Sequence, residues 1–508
     1  MTTPIRFTRR AALGASLAAF SVAPAHAQSA PIARTRLGRL SGVAESGVLT
    51  FKGVRYGAAP ARFQAPRAAP AWRGVRHAVR FGAACPQRGL ADEVQSEDCL
   101  FLNVWTPALR GARPVLVYIH GGAYNTGSGS SPVTDGARLA AQGDVVVVTL
   151  NHRLNVFGYG YFAAHGFPDS GNAGQLDLIL ALEWVRDNIA AFGGDPGCVT
   201  VFGQSGGGAK IATLMAMPAA RGLFHRAFTM SGQQVTASGP LNATRRSATF
   251  IEALGGAEAL QSAPAERLVE ALAPTDPVLG YGSLYFGPVL DQRHLLRHPF
   301  YPDAPAQSHA IPMMIGNTRD ETRGFVGADR ALFALTWDDL PSRLAAGMRV
   351  DILPAHVIEA YQRLYPHITP SDLYFAATTA ARSWRGALIE LEERAKAGAP
   401  AYAYQLNWRC PREGGIYGAP HTLDIPLVFG NLEVSEWIGA RTPEAESVSA
   451  QMMAALLAFA RTGDPGWTPY GLEHRQTMIF DITSRLENDP RRAERELFAA
   501  VPYVQPGT

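Results

Sequence analysis

"VTVFGQSGGGAKI", residues 199–211, sets one serine among glycines directly after a β-branched run. Val199 to Phe202 reads as a strand buried on both faces, and "AKIATLMAM" after the glycines reads as a helix. A G-x-S-x-G between strand and helix is a nucleophile elbow: Ser205 sits in a sharp, strained turn, and Gly203 and Gly207 let strand and helix approach with no Cβ between them. The turn lifts the hydroxyl clear of the sheet and aims the Gly206 amide, at the helix start, toward the oxygen of an attacked carbonyl. The bland alternative is a glycine-rich turn with no chemistry. A phosphate loop is the other, and its G-x-x-x-x-G-K-[ST] spacing fails because Ile211 follows Lys210.

Around the elbow lie further near-continuous apolar runs: "PVLVYI" (114–119), "VVVVTL" (145–150), "RAFTMS" (226–231), "IPMMIG" (311–316) and "AYAYQL" (401–406). Such runs mark strands buried on both faces. Between them, "QLDLILALEWVRDNIAAF" (175–192) has helical spacing, and "QMMAALLAFARTG" (451–463) closes on Arg and Gly as helices do. The alternation predicts an α/β fold with a large, mostly parallel central sheet flanked by helices. Ahead of it, "TRLGRLSGV" and "VLTFKGVRYG" read as a small antiparallel hairpin at the N-terminal end. No repeat or long linker divides the chain, so residues 28–508 are expected to form a single catalytic domain.

At 508 residues, 47% hydrophobic and 18% charged, the chain can bury a large core. The formal charge of +3 includes Arg6, Arg9 and Arg10 of an acid-free leader, so the remainder is close to neutral and nothing points to nucleic acid or an anionic membrane. That leader, "FTRRAALGASLAAFSVAPAHAQ", reads as a twin-arginine export signal over residues 1–27, with Ala25-His26-Ala27 as the cleavage site. An ordinary N-terminal helix is the competing reading. Gly14 and Pro24 interrupt the apolar stretch, and no later segment stays apolar for the ~18 residues of a membrane span. A periplasmic or secreted protein is expected, with no stable membrane insertion.

Four cysteines fit an oxidising compartment. Cys85 and Cys99 flank the polar loop "PQRGLADEVQSED", and a bridge between them is expected, worth ~3 kcal/mol by loop closure. Cys198 and Cys410 read as buried, small apolar residues. No C-x-x-C or H-E-x-x-H spacing occurs, so no metal is expected.

An elbow needs a second oxyanion donor, a base and an orienting acid. "YIHGGAYNTG" follows a strand and matches an H-G-G-G type of loop, so the amides of Gly122 and Ala123 would join that of Gly206, with His120 shaping the loop. Chain order then demands an acid followed by a histidine. "NTRDET" offers both Asp320 and Glu321, and "YGAPHTLDIPLVFGN" offers His421 among the 13 histidines of the chain.

The segments "EDCLFLNVWTP", "HGGAY", "VVVTLNHRL", "GNAGQLDLILALEWVRDNIAAFGGDP", "VTVFGQSGGG", "GNTRDET" and "GAPHTLDIPLVFGN" resemble, in order, those of the type-B carboxylesterase family of α/β-hydrolases, which includes bacterial p-nitrobenzyl esterases and cholinesterases. The resemblance runs from about Arg34 to beyond Trp467. It implies Ser205 as nucleophile, Glu321 as acid, His421 as base, and Gly122, Ala123 and Gly206 as oxyanion donors. It also implies the Cys85 to Cys99 bridge, a supporting role for Ser231 in "TMSGQ", and an Asp195 to Arg153 ion pair below the elbow. The expected reaction is serine ester hydrolysis through an acyl-enzyme, with no cofactor.

Two departures bear on substrate. Gln204 stands where the family usually carries Glu, and Gly206 where it carries Ala, so the fixed negative charge beside the serine is missing. The Cys85 to Cys99 loop also lacks the aromatic residue on which a quaternary ammonium would stack. Neutral or anionic esters, and not choline esters, are therefore expected, with Tyr124, Tyr285 and Phe286 as pocket walls or ordinary core. An amidase or peptidase would use the same triad, a lipase would need an apolar lid that residues 236–286 do not display, and an adhesion-type binding protein would have lost the serine.

Overall fold

The β-branched runs become neighbours in one sheet. The computed structural model describes residues 30–505 and Gly507, so the leader expected over residues 1–27 lies outside the described residues. The strands are β1 (Ile32–Arg34), β2 (Arg39–Ser41), β3 (Val43–Glu45), β4 (Val48–Arg55), β5 (Val75–His77), β6 (Phe101–Thr106) and β7 (Arg113–Ile119). They continue as β8 (Val146–Leu150), β9 (Gly194–Gln204), β10 (Arg226–Met230), β11 (Met313–Thr318), β12 (Ala401–Leu406), β13 (Gln476–Phe480) and β14 (Arg485–Asn488).

An 11-stranded sheet runs in the order β14-β13-β12-β11-β10-β9-β7-β8-β6-β4-β3. From β13 across to β8 every neighbouring pair is parallel. The edges are antiparallel, β14 on one side and β6, β4 and β3 on the other. Of the expected hairpin, the second segment is β4, which pairs antiparallel with β3, while Arg39–Ser41 of the first segment is β2 and joins β1 and β5 in a separate 3-stranded sheet.

Alternate side chains of each central strand enter different cores, as a pleat requires. Val115, Val117, Val199 and Val201 join one buried cluster with Leu178, Leu182 and Ile211. Leu116, Tyr118, Phe202 and Phe228 join the other with Met452, Leu456 and Phe459. The covering helices are Ala173–Asn188 on the first face and Pro443–Thr462 on the second. The latter starts earlier than its apolar periodicity suggests, because Thr442 caps it by accepting from the Ala445 amide, and it ends on Gly463 at φ 82°.

Three sequence expectations are corrected. Arg153 does not pair with Asp195: its guanidinium forks onto buried Asp177 in the helix Ala173–Asn188, at 2.6 and 2.8 Å, while Asp195 accepts from the Gly197 amide. A fully buried guanidinium needs a carboxylate equally withdrawn from water, and Asp177 is buried where Asp195 is half-exposed. Cys85 and Cys99 are both buried and interact, yet they are free thiols and not a bridge. Contact with Cys85 and burial push the Cys99 thiol well above its usual range. Cys410 is buried as expected, whereas Cys198 is only half-buried, accepting from Arg226 Nη1 at 3.3 Å.

Candidate active site

Ser205 lies between β9 and the helix Gly206–Ala216 with φ 54° and ψ −126°, a conformation that L-residues avoid. The glycines are dictated by contact. A Cβ on Gly203 would stand 2.7 Å from Ile119 O, one on Gly207 1.9 Å from the same oxygen, and one on Gly206 2.1 Å from Ala123 O. The elbow thus presses directly on the end of β7 and on the loop that follows it.

That loop carries two left-handed residues, Gly122 at φ 81° and Ala123 at φ 52°. Neither amide donates to a described acceptor, and the Gly206 amide opens a helix, where no intrahelical partner exists. Three N–H groups without a described acceptor thus lie on the two segments that press together beside the half-buried serine. His120 precedes them; its Nδ1 donates to Gly121 O at 2.9 Å, its ring packs tilted against His152 with centroids 4.7 Å apart, and burial lowers it to about 3, so it is a neutral part of the loop's support.

On the other side of the serine, Glu321 starts the short helix Glu321–Val326 directly after β11. Its fully buried carboxylate accepts from the Thr318 amide at 2.8 Å and Asn317 Nδ2 at 3.3 Å through Oε1, and Oε2 lies 2.5 Å from His421 Nδ1. His421 is held from the opposite face by Phe325, ring centroids 4.0 Å apart. Asp320, next in chain, points away: its Oδ2 accepts from the Ala419 amide at 2.9 Å and its Oδ1 faces Arg323 at 3.7 Å.

Gln204 Nε2 lies 3.1 Å from His421 Nε2 and 3.4 Å from Nδ1, so the amide rests against the imidazole ring and not along the lone pair of one nitrogen. Glu321 orients the imidazole through Nδ1, and Gln204 packs against the ring. The Ser231 amide donates to Gly316 O, and its buried hydroxyl has no partner among the described residues. Tyr124 and Phe286 belong to the first core, with Tyr285 packed against it, and Tyr124 donates to Gln234 Oε1 at 2.8 Å.

Sequence reasoning missed three groups here. Phe325 stacks on the imidazole, and Lys210 lies behind the loop. Asp424, three residues after His421, is buried beside Glu321 and accepts from Tyr404 OH at 3.0 Å. Burial, then the Glu321 charge, push Asp424 up to about 7. Its place three residues after His421, at the start of a short helix, was the only sequence signal. No group of His, Cys, Asp and Glu among the described residues has metal-holding geometry.

Known proteins match this arrangement along most of the chain. The model of the carboxylesterase family matches residues 29–498. The para-nitrobenzyl esterase of Bacillus subtilis is 36% identical, over 92% of this chain and 98% of its own. The phenmedipham hydrolase of Pseudarthrobacter oxydans is 34% identical, over 86% of this chain and 90% of its own. A solved carboxylesterase of Geobacillus stearothermophilus superposes with a TM-score of 0.82 at 37% identity, covering 92% of this chain and 99% of the other. A parallel sheet bearing an elbow serine, and relatives matched nearly end to end, lead to one conclusion: this chain is an α/β-hydrolase of the carboxylesterase family, a carboxylic-ester hydrolase.

Proposed function

We propose that hydrolysis runs through Ser205 as nucleophile, His421 as base and Glu321 as the acid that orients it, with the Gly122, Ala123 and Gly206 amides as oxyanion donors. The carrying observation is the 2.5 Å contact between Glu321 Oε2 and His421 Nδ1, which fixes the tautomer whose Nε2 can take a proton. His421 Nε2, the nitrogen not engaged by Glu321, accepts from the Ser205 hydroxyl as the ester binds. Ser205 Oγ then attacks the carbonyl carbon, His421 takes its proton and returns it to the leaving alcohol, and water releases the acyl group by the same steps in reverse order. Each oxyanion donor is worth ~3 kcal/mol of barrier. Ser205→Ala and His421→Ala should each abolish turnover of p-nitrophenyl esters in folded protein; full activity in either would overturn the assignment.

The substrates proposed are small neutral or anionic esters. A neutral Gln204 beside the base supports this, as does the lack of an aromatic residue between Cys85 and Cys99. A panel of p-nitrophenyl esters of rising acyl length, with a p-nitroanilide and a choline ester beside it, checks the reading; preference for the choline ester would contradict it. Export to the periplasm or medium through the twin-arginine leader is also proposed, supported by Arg9, Arg10 and the Ala25-His26-Ala27 site. N-terminal sequencing of the exported protein should begin near Gln28, and replacing both arginines should stop export.

A further inference from the structure

Lys210 is fully buried in the helix that Ser205 opens. Its Nζ donates to Ala123 O at 2.8 Å and His120 O at 3.2 Å, the carbonyls at the two ends of the loop segment that carries the free amides. No carboxylate pairs with it among the described residues, and burial lowers it to about 7. The groups facing it are His120 from the end of β7, lowered to about 3, and His152 after β8, lowered well below its usual value. Tyr124, whose ring centre is 5.5 Å from Nζ, is raised well above its usual range. From the helix Ala173–Asn188 comes the neutral Gln175, whose amide donates to the Lys210 carbonyl at 3.1 Å.

A methionine would fill this space without the cost of an uncompensated buried ammonium. What the ammonium supplies is a grip on a strained loop. Ala123 holds a left-handed conformation that a non-glycine residue adopts at a penalty, and its carbonyl is the oxygen that a Cβ on Gly206 would strike. Glycine at 206 and lysine at 210 both serve Ala123 O, the first by making room for it and the second by binding it.

We propose that Lys210 is the positioning residue of the oxyanion loop: its ammonium clamps the His120 and Ala123 carbonyls, aims the Gly122 and Ala123 amides at the developing oxyanion, and sets a positive charge behind them. This rests on the oxyanion assignment above. Lys210→Met in the full chain should lower kcat by roughly tenfold or more, leave KM within about twofold, and weaken a trifluoromethyl ketone, which binds as a tetrahedral oxyanion, by the same factor as kcat/KM. The natural enzyme should lose kcat on the alkaline side as Lys210 gives up its proton, and Lys210→Met should lack that limb.

Natural kcat and natural ketone affinity in folded Lys210→Met would overturn the proposal. So would a fall in kcat with ketone affinity unchanged. If Lys210→Met does not fold, Lys210→Gln and the alkaline profile of the natural enzyme decide, a flat profile being the contrary result. Hydrolysis surviving in Ser205→Ala would instead defeat the nucleophile assignment, whatever Lys210 does.

Discussion

Asp320 and Glu321 are adjacent carboxylates with different tasks. Glu321 has both oxygens engaged inside the site, while Asp320 pins the Ala419 amide at its edge. Glu321→Ala should cut kcat on the order of 10⁴-fold with a small change in melting temperature, and Asp320→Ala should do far less to turnover. Steady-state kinetics on the two folded variants check this; a larger loss from Asp320→Ala would reverse the assignment. Gln204 gives a second prediction, because it touches the imidazole itself. In Gln204→Glu a carboxylate beside His421 favours the charged imidazolium and raises its pKa, so the acid limb of the kcat/KM profile should move to higher pH. Relative turnover of cationic esters should rise too, since a charge pair at ~4 Å and an effective dielectric of ~20 is worth up to ~4 kcal/mol before screening. An unmoved limb and unchanged selectivity would show that position 204 does not reach the base. The serine and the glycines around it were legible in the sequence because a tight turn leaves a local signature. The choice of Glu321 over Asp320 came from the family resemblance alone and not from local pattern, since side-chain direction depends on β11 and on Ala419, about a hundred residues along the chain.

At the scale of elements, the site is a junction between the end of β7 and the start of the helix after Ser205. Ile119 O and Ala123 O touch the positions where Gly207 and Gly206 would carry a Cβ. Gly206→Ala should therefore displace the oxyanion loop and lower kcat roughly tenfold or more, even though alanine favours a helix by ~1 kcal/mol over glycine. Gly207→Ala should also lower the melting temperature, because the backbone of β7 has nowhere to retreat. Thermal melts with kinetics separate the two cases, and a Gly206→Ala enzyme of natural activity would mean that the loop yields freely. The central strands were readable as unbroken apolar runs because both of their faces are covered. β6 is harder, since buried Asn103 interrupts "FLNVWT"; its Oδ1 accepts from the Gly53 amide and its Nδ2 donates to Gly129 O. β14 at the sheet edge is polar and largely exposed, and β13 beside it is only five residues long and opens on half-buried Gln476 and Thr477, so no long apolar run announced them. The Asp177 partner of Arg153 was hidden for a related reason: an acid inside an apolar helix reads as surface until its cation is seen.

Across the whole molecule, buried carboxyl groups tie stability to pH. Burial pushes Glu390 up to about 8, with Oε1 accepting from the Gln234 amide and Oε2 without a partner among the described residues. The folded chain holds this proton above the pH at which the unfolded chain releases it, so raising pH from the usual carboxyl range toward 8 favours unfolding. Glu390→Gln keeps the shape and removes the titration. Its melting temperature relative to the natural protein should rise by roughly a few degrees between about pH 5 and about pH 8, and a pH-independent difference would count against the assignment. The fold as a whole turns these local costs to one end, the presentation of Ser205 Oγ at the carboxyl edge of a parallel sheet. The most direct test is to acylate the protein with a p-nitrophenyl ester, quench during the burst, and locate the acyl group by mass spectrometry of peptides. The account predicts one acyl group per chain, on Ser205, absent from Ser205→Ala together with the burst; an adduct on another residue, or a burst that survives in Ser205→Ala, would contradict it.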